Sequence, residues 1–162
     1  KYFKPKKYVE RHTQFTVFWD YKGVSLKCML DLVLIDNSRK LILPIDFKFI
    51  TRSGTLIFLS SFRDFRYDIQ GSFYREALKF LVKYNDKYKD YNVMPFLFLV
   101  ESITNPGIPL VYQLSEETEK KGKKGNEYDK GWEQAIDDYL WYEKNGWEIN
   151  RKIIENEYYF EI

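Results

Sequence analysis

Two runs of alternating residues, Val24 to Asp36 and Leu41 to Ile50, carry charged side chains inside otherwise apolar strands and are separated only by a polar break. In the first run, Val24, Leu26, Cys28, Leu30, Leu32 and Leu34 form one alternation, while Ser25, Lys27, Met29, Asp31, Val33 and Ile35 form the other. Side chains on a strand repeat every second residue, so Asp31 is expected to point away from the all-apolar face. In the second run Asp46 and Lys48 share one face, and Leu43, Ile45, Phe47 and Phe49 share the other. The break Asp36-Asn37-Ser38-Arg39-Lys40 is rich in turn formers, and successive strands joined by a short turn usually pair. Asp31 and the Asp46/Lys48 pair are therefore expected to meet on one sheet face.

A strand Asp beside a strand Lys is commonly a surface ion pair. Here both sit in hydrophobic strands that read as central, where an unpaired charge is costly unless it is paired or binds a metal. Asp31, Asp46 and the main-chain carbonyl of Phe47 are hard oxygen donors of the kind that suit Mg²⁺ or Mn²⁺. A metal-bound water is nucleophilic near neutral pH, and the ion offsets charge developing on a phosphoryl group. Lys48 beside such a water can orient it or neutralise that charge. This chemistry is phosphodiester hydrolysis.

From Phe62 to Tyr84 the apolar set Phe62, Phe65, Ile69, Phe73, Phe80 and Tyr84 recurs at helical spacing and predicts one helix with that set towards the core. Arg63, Tyr67, Gln70 and Tyr74 form a second stripe about 100° round from it. Taken alone, that stripe is what helix packing with solvent-reaching tyrosine hydroxyls would give.

The order Asp31, then Asp46-Phe47-Lys48, then Gln70 and Tyr74 four residues apart resembles the PD-(D/E)xK nuclease superfamily, in its RecB/RecE-like branch with a QxxxY helix. The segment Arg66-Tyr67-Asp68-Ile69-Gln70-Gly71-Ser72-Phe73-Tyr74 is most similar to the exonuclease VIII and phage-recombination exonuclease group. The resemblance covers Val9 to about Tyr84, and Gly131 to Trp147 is similar to the closing helix of that group. It implies an α/β (α+β) fold with a restriction-endonuclease-like core, a central mixed β-sheet flanked by helices. It implies Asp31 and Asp46 as metal ligands, Lys48 as the catalytic lysine, and Gln70 and Tyr74 as helix residues lining the site. Phe49 stands where this branch commonly has Thr or Ser, and Leu30 precedes Asp31 where many relatives have Pro or Gly. Many relatives also carry a fourth acidic or histidine group before the first strand; Glu10, His12 or a residue preceding this chain are the candidates for it. Positions 1–162 are expected to form a single nuclease domain lacking native N-terminal residues.

The length of 162 residues with 44% hydrophobic composition suits one domain with a substantial core. A net charge of +2 argues against nonspecific nucleic-acid binding by the whole surface, so local clusters carry the argument. Arg63 and Arg66 share the helix with Gln70 and are the best candidates for phosphate contacts, with Tyr67 beside them and Arg52 in the polar loop after Lys48. Lys120, Lys121, Lys123 and Lys124 follow three glutamates, and a mixed run of that kind predicts a solvated, mobile segment. The single cysteine, Cys28, excludes a disulfide framework and suits a reducing, cytoplasmic setting; no stretch is long and apolar enough for a membrane span.

Phe15 to Tyr21 predicts a strand turned by Lys22-Gly23 onto the Asp31 strand, Met94 to Val100 a buried strand, and Leu110 to Leu114 another after Asn105-Pro106-Gly107. Tyr128, Trp132, Ala135, Ile136, Tyr139 and Leu140 mark a helix ending at Asn145-Gly146, and Glu157 to Ile162 a short terminal strand. The function expected is a Mg²⁺-dependent exodeoxyribonuclease on linear duplex DNA. The resemblance implies a single-strand annealing partner protein and a homo-oligomeric ring. An endonuclease of the same superfamily on branched or foreign DNA, and a non-catalytic nucleic-acid-binding module of the same fold, are the alternatives.

Overall fold

The structure is a computed structural model and describes residues 7–51, 54–104 and 106–147. Three long strands lead, β1 (Val9–Tyr21), β2 (Val24–Asp36) and β3 (Leu41–Ile50), followed by the helices α1 (Thr55–Asp64) and α2 (Tyr67–Tyr84). After them come β4 (Asn92–Val93), β5 (Leu97–Ser102), β6 (Leu110–Gln113), α3 (Glu116–Lys124) and α4 (Trp132–Asn145). The six strands form one mixed sheet in the order β1-β2-β3-β5-β6, with β4 beside β3. β3 runs parallel to β5 because α1 and α2 make the crossover that a parallel pair requires; β1–β2, β2–β3 and β5–β6 are antiparallel. This is the mixed α/β architecture expected from the sequence.

The turns have local causes. Lys22 and Gly23 both take positive φ, 52° and 81°, as a two-residue hairpin turn matched to strand twist requires. Between β2 and β3, Asp36 accepts hydrogen bonds from the backbone N–H groups of Ser38 and Arg39, both at 3.1 Å, and pairs with the Arg39 guanidinium at 2.8 Å. The Ser38 hydroxyl, which donates to Asp36 Oδ1 at 2.6 Å, and then the Arg39 guanidinium hold its carboxyl down at about 2.

The core lies between the sheet and the helices. Val17 and Trp19 of β1, Cys28 and Leu30 of β2, Phe58 of α1, Leu78 of α2, Phe98 of β5 and Trp132 of α4 are all buried in one cluster. A second, smaller cluster on the other face of the sheet joins Leu32, Leu34, Ile45 and Leu97 and draws on strand residues alone. Leu30 therefore faces the helices while Leu32 does not, so the even alternation expected to run from Val24 to Leu34 fails. The faces exchange where the β1–β2 ladder passes from Thr13↔Leu32 to Phe15↔Leu30, over Gln14 and Asp31. Gln14 has φ 50°, a left-handed conformation that is strained for a residue with a side chain.

Several expectations need correction. β1 starts at Val9, well before Phe15. The helix expected over Phe62 to Tyr84 is two, because Arg66 adopts φ 51° and ψ 51° and breaks the chain between α1 and α2. In consequence Phe65, assigned to the core from its spacing, is 70% exposed, while Tyr84, assigned there too, is 64% exposed as the last residue of α2. The lysine-rich stretch is α3 rather than a loose loop. Ser115 caps it by accepting from the Thr118 N–H, acidic residues fill its first turn and lysines its last, which suits the helix dipole at both ends. Gly122 lets α3 approach α2 so closely that a Cβ there would sit 2.0 Å from the Asp68 carbonyl oxygen. The helix expected from Tyr128 begins at Trp132, and Tyr128 is exposed. The expected strand Glu157 to Ile162 lies outside the described residues, as does Arg52.

Candidate active site

The β2–β3 ladder ends at Leu32↔Ile45. Beyond it β2 stays with β1, whereas β3 continues beside β5 from Asp46↔Phe98 to Ile50↔Ser102. The two central strands thus part at a fork, and the next opposed pair, Asp31 and Asp46, stands at its base. The Phe47 N–H, which would otherwise bond across the ladder, donates to Asp31 Oδ2 at 2.9 Å. A side-chain carboxylate replaces the missing backbone acceptor and is held in place by it.

Asp46 is 3% exposed and Lys48, two residues on, shares its face. Gln70 reaches both from α2: its Nε2 donates to Asp46 Oδ1 at 2.9 Å, and its Oε1 accepts from Lys48 Nζ at 2.8 Å. Asp46 Oδ2 lies 2.8 Å from Lys48 Nζ. The ammonium approaches outside hydrogen-bonding angles, so this buried oxygen has no hydrogen-bond donor among the described residues. Burial pushes the Asp46 carboxyl above its ordinary range; Lys48 opposes the shift and Asp31 adds to it. Tyr74, one turn after Gln70 and half-buried, has its hydroxyl pushed up by burial, against a hydrogen bond with Gln70. Lys48 Nζ sits 4.1 Å from the centre of the Tyr67 ring, a cation–π contact.

Asp31, Asp46, Lys48, Gln70, Tyr74 and Tyr67 are thus brought together. Arg66 is not: it is spent on Asp68, at 2.9 Å and 3.0 Å, and on the carbonyl of Lys130, and it lies near Asp129. Arg63 lies on α1 and lines a cavity of about 330 Å³ with Phe62, Arg66, Asp68, Thr118, Lys121 and Asp129. Glu10 and His12 pair with each other at 3.0 Å, and Glu10 also binds Asn37 and lies near Lys87. Sequence reasoning missed the strained Gln14 opposite Asp31 and the breaking of the helix at Arg66. No pattern of residue types signals either, since Gln and Arg are ordinary strand and helix residues.

Among the described residues, no three His, Cys, Asp or Glu side chains converge as a metal-binding group. A closed zinc-type site, with four protein ligands, does not fit. A Mg²⁺-type site fits, because such an ion takes one or two carboxylates and keeps its other positions for water and phosphate. The observation that supports it is the buried Asp46 carboxylate with Asp31 alongside, its Oδ2 facing the poorly aligned Lys48 ammonium and no other donor among the described residues.

Sheet and helices together define a mixed α/β chain with a central six-stranded mixed sheet flanked by helices. Among solved structures, the chain is similar to a crystal structure of a "putative exonuclease" from Eubacterium rectale, with a TM-score of 0.55 and 16% sequence identity over 89% of this chain and 48% of that one. The chain therefore spans about half the length of that structure. At this identity the likeness is one of fold. No protein-family profile matches the sequence, and no curated protein matches it either.

Proposed function

We propose that this chain is a metal-dependent deoxyribonuclease, an exonuclease that degrades linear duplex DNA in the manner of phage and prophage recombination enzymes. The observation that carries the reading is the fork itself, where two opposed carboxylates, a half-buried lysine and a bridging glutamine converge. The fold likeness to a structure bearing an exonuclease name supports it.

Asp31 and Asp46 are the residues that would hold Mg²⁺ or Mn²⁺, with the Phe47 carbonyl next to them on the backbone. The ion would supply charge neutralisation and an activated water for attack on phosphorus. Lys48 brings a positive charge, held by Gln70 and the Tyr67 face, to where negative charge accumulates on the phosphate oxygens. Gln70 keeps Asp46 and Lys48 in register by using both ends of its amide, so it acts as a positioning residue. A single-strand annealing protein and a ring of identical subunits are the partners this reading carries with it.

Digestion of end-labelled linear duplex DNA beside a covalently closed circle, with Mg²⁺ or EDTA, tests the reading. We expect loss of the linear substrate alone, stopped by EDTA and reduced about 10²- to 10³-fold in Lys48→Ala, the scale of losing one preorganised charge-stabilising donor. Cutting of the circle would transfer the site to an endonuclease. DNA binding without cleavage by the wild-type protein would leave a binding module.

A further inference from the structure

The ring of Phe65 stacks on that of Tyr67, 5.9 Å between centroids and 24° between planes, and Tyr67 stacks in turn on Phe98 at 5.8 Å and 25°. Phe98 is buried in the core and Phe65 is 70% exposed. The three rings make a column that starts inside the molecule and ends on its surface. Its middle ring is the one over which Lys48 sits. The outer ring is rigidly mounted: the Phe65 N–H bonds the Ser61 carbonyl at 2.9 Å, and the left-handed Arg66 follows, locked to Asp68.

An exposed aromatic ring, stacked on the ring that Lys48 overlies, has the features of a stacking platform for a nucleobase whose phosphate lies at the site. Phosphate contact alone needs no ring, and a base inside a duplex offers no free face to one. We infer that Phe65 stacks on an unpaired base of the strand whose phosphate lies at Lys48. The substrate is then bound through a single-stranded or frayed terminus. This rests on the nuclease reading and adds to it the form of nucleic acid that the site takes.

The test uses wild-type protein, Phe65→Ala, Phe65→Leu and Phe65→Trp in EDTA, with oligonucleotides carrying 2-aminopurine at an unpaired terminal position or inside a blunt duplex. Wild type and Phe65→Trp are expected to quench the unpaired probe. Phe65→Ala and Phe65→Leu should lose the quenching and bind that oligonucleotide about tenfold more weakly, the order of one lost base–aromatic stack, with blunt-duplex binding unchanged. Leu keeps apolar bulk without a ring, so it separates stacking from burial, and melting curves check that the exposed substitutions leave the fold intact. Equal quenching and affinity in Phe65→Ala, in a protein that still cleaves DNA, overturns the stacking role alone. A wild-type protein that neither binds nor cleaves DNA overturns it together with the nuclease reading.

Discussion

Asp46 is buried, opposed by Asp31, and pushed up by both despite Lys48. The sign of the resulting pH dependence follows from linkage. A carboxyl whose folded value lies above its unfolded one binds more protons in the native state across that interval. Stability therefore falls as pH rises from the ordinary carboxylate range through the raised folded value, and the whole cost is present above it. A divalent cation at Asp31 and Asp46 would relieve that cost only when both are ionised. Thermal melts of the wild type should thus show Mg²⁺ raising Tm by several degrees near pH 8 and by much less near pH 4, with the difference abolished in Asp46→Ala. An equal Mg²⁺ effect in the variant would place the ion elsewhere. Asp36 runs the other way: its carboxyl is held at about 2, so its contribution is present above the ordinary aspartate range and is lost as pH falls through that value. Asp36→Ala, which removes the bonds to Ser38 and Arg39, should cost about 2 kcal/mol by denaturant titration at pH 7.

At the scale of elements, the strands that carry Asp31, Asp46 and Lys48 were legible because alternation is a local signal. Both β2 and β3 have the bounds that their sequence pattern sets, and Asp46 and Lys48 share a face as expected. The parity slip at Asp31 was not legible, since it arises from pairing with Gln14's strained backbone and leaves no mark in residue types. Arg66 hid a helix break for a similar reason: besides Asp68 on α2, its side chain meets Asp129 and the Lys130 carbonyl, which lie in the distant loop before α4. α3 itself was obscured by its charges, which suggest a solvated segment until Gly122 is seen against the backbone of α2. That close approach gives a sharp expectation. Gly122→Ala has no room for its Cβ at 2.0 Å from the Asp68 carbonyl oxygen, so the helices must separate. We expect a net loss of about 2 kcal/mol in urea unfolding, since an overpacked contact at the ~3 kcal/mol end of its range outweighs the ~1 kcal/mol gained from helix propensity.

At the scale of the whole molecule, one cluster ties every layer together, and Cys28 lies inside it. β1, β2, α1, α2, β5 and α4 each bury at least one side chain there, so none of these six can leave without exposing the others. Cys28 is the only cysteine in the sequence, is 4% exposed, and has its thiol pushed up to about 12 by burial. The thiolate is the reactive form, so in the folded chain this sulfur is both shielded and almost entirely protonated at pH 8. Labelling by an aromatic disulfide reagent should then need an opening that frees β2 from β1 and from the helices. If the core is one cooperative unit, that opening is global unfolding. The labelling rate in increasing urea should extrapolate to the same free energy as circular dichroism gives, with the same dependence on denaturant. Labelling that is much faster than this, and insensitive to urea, would mean that the β1–β2 arm beyond the fork opens by itself. The fork would then be a joint between two parts of the sheet, and the carboxylates at its base would be held by the β3–β5 half alone.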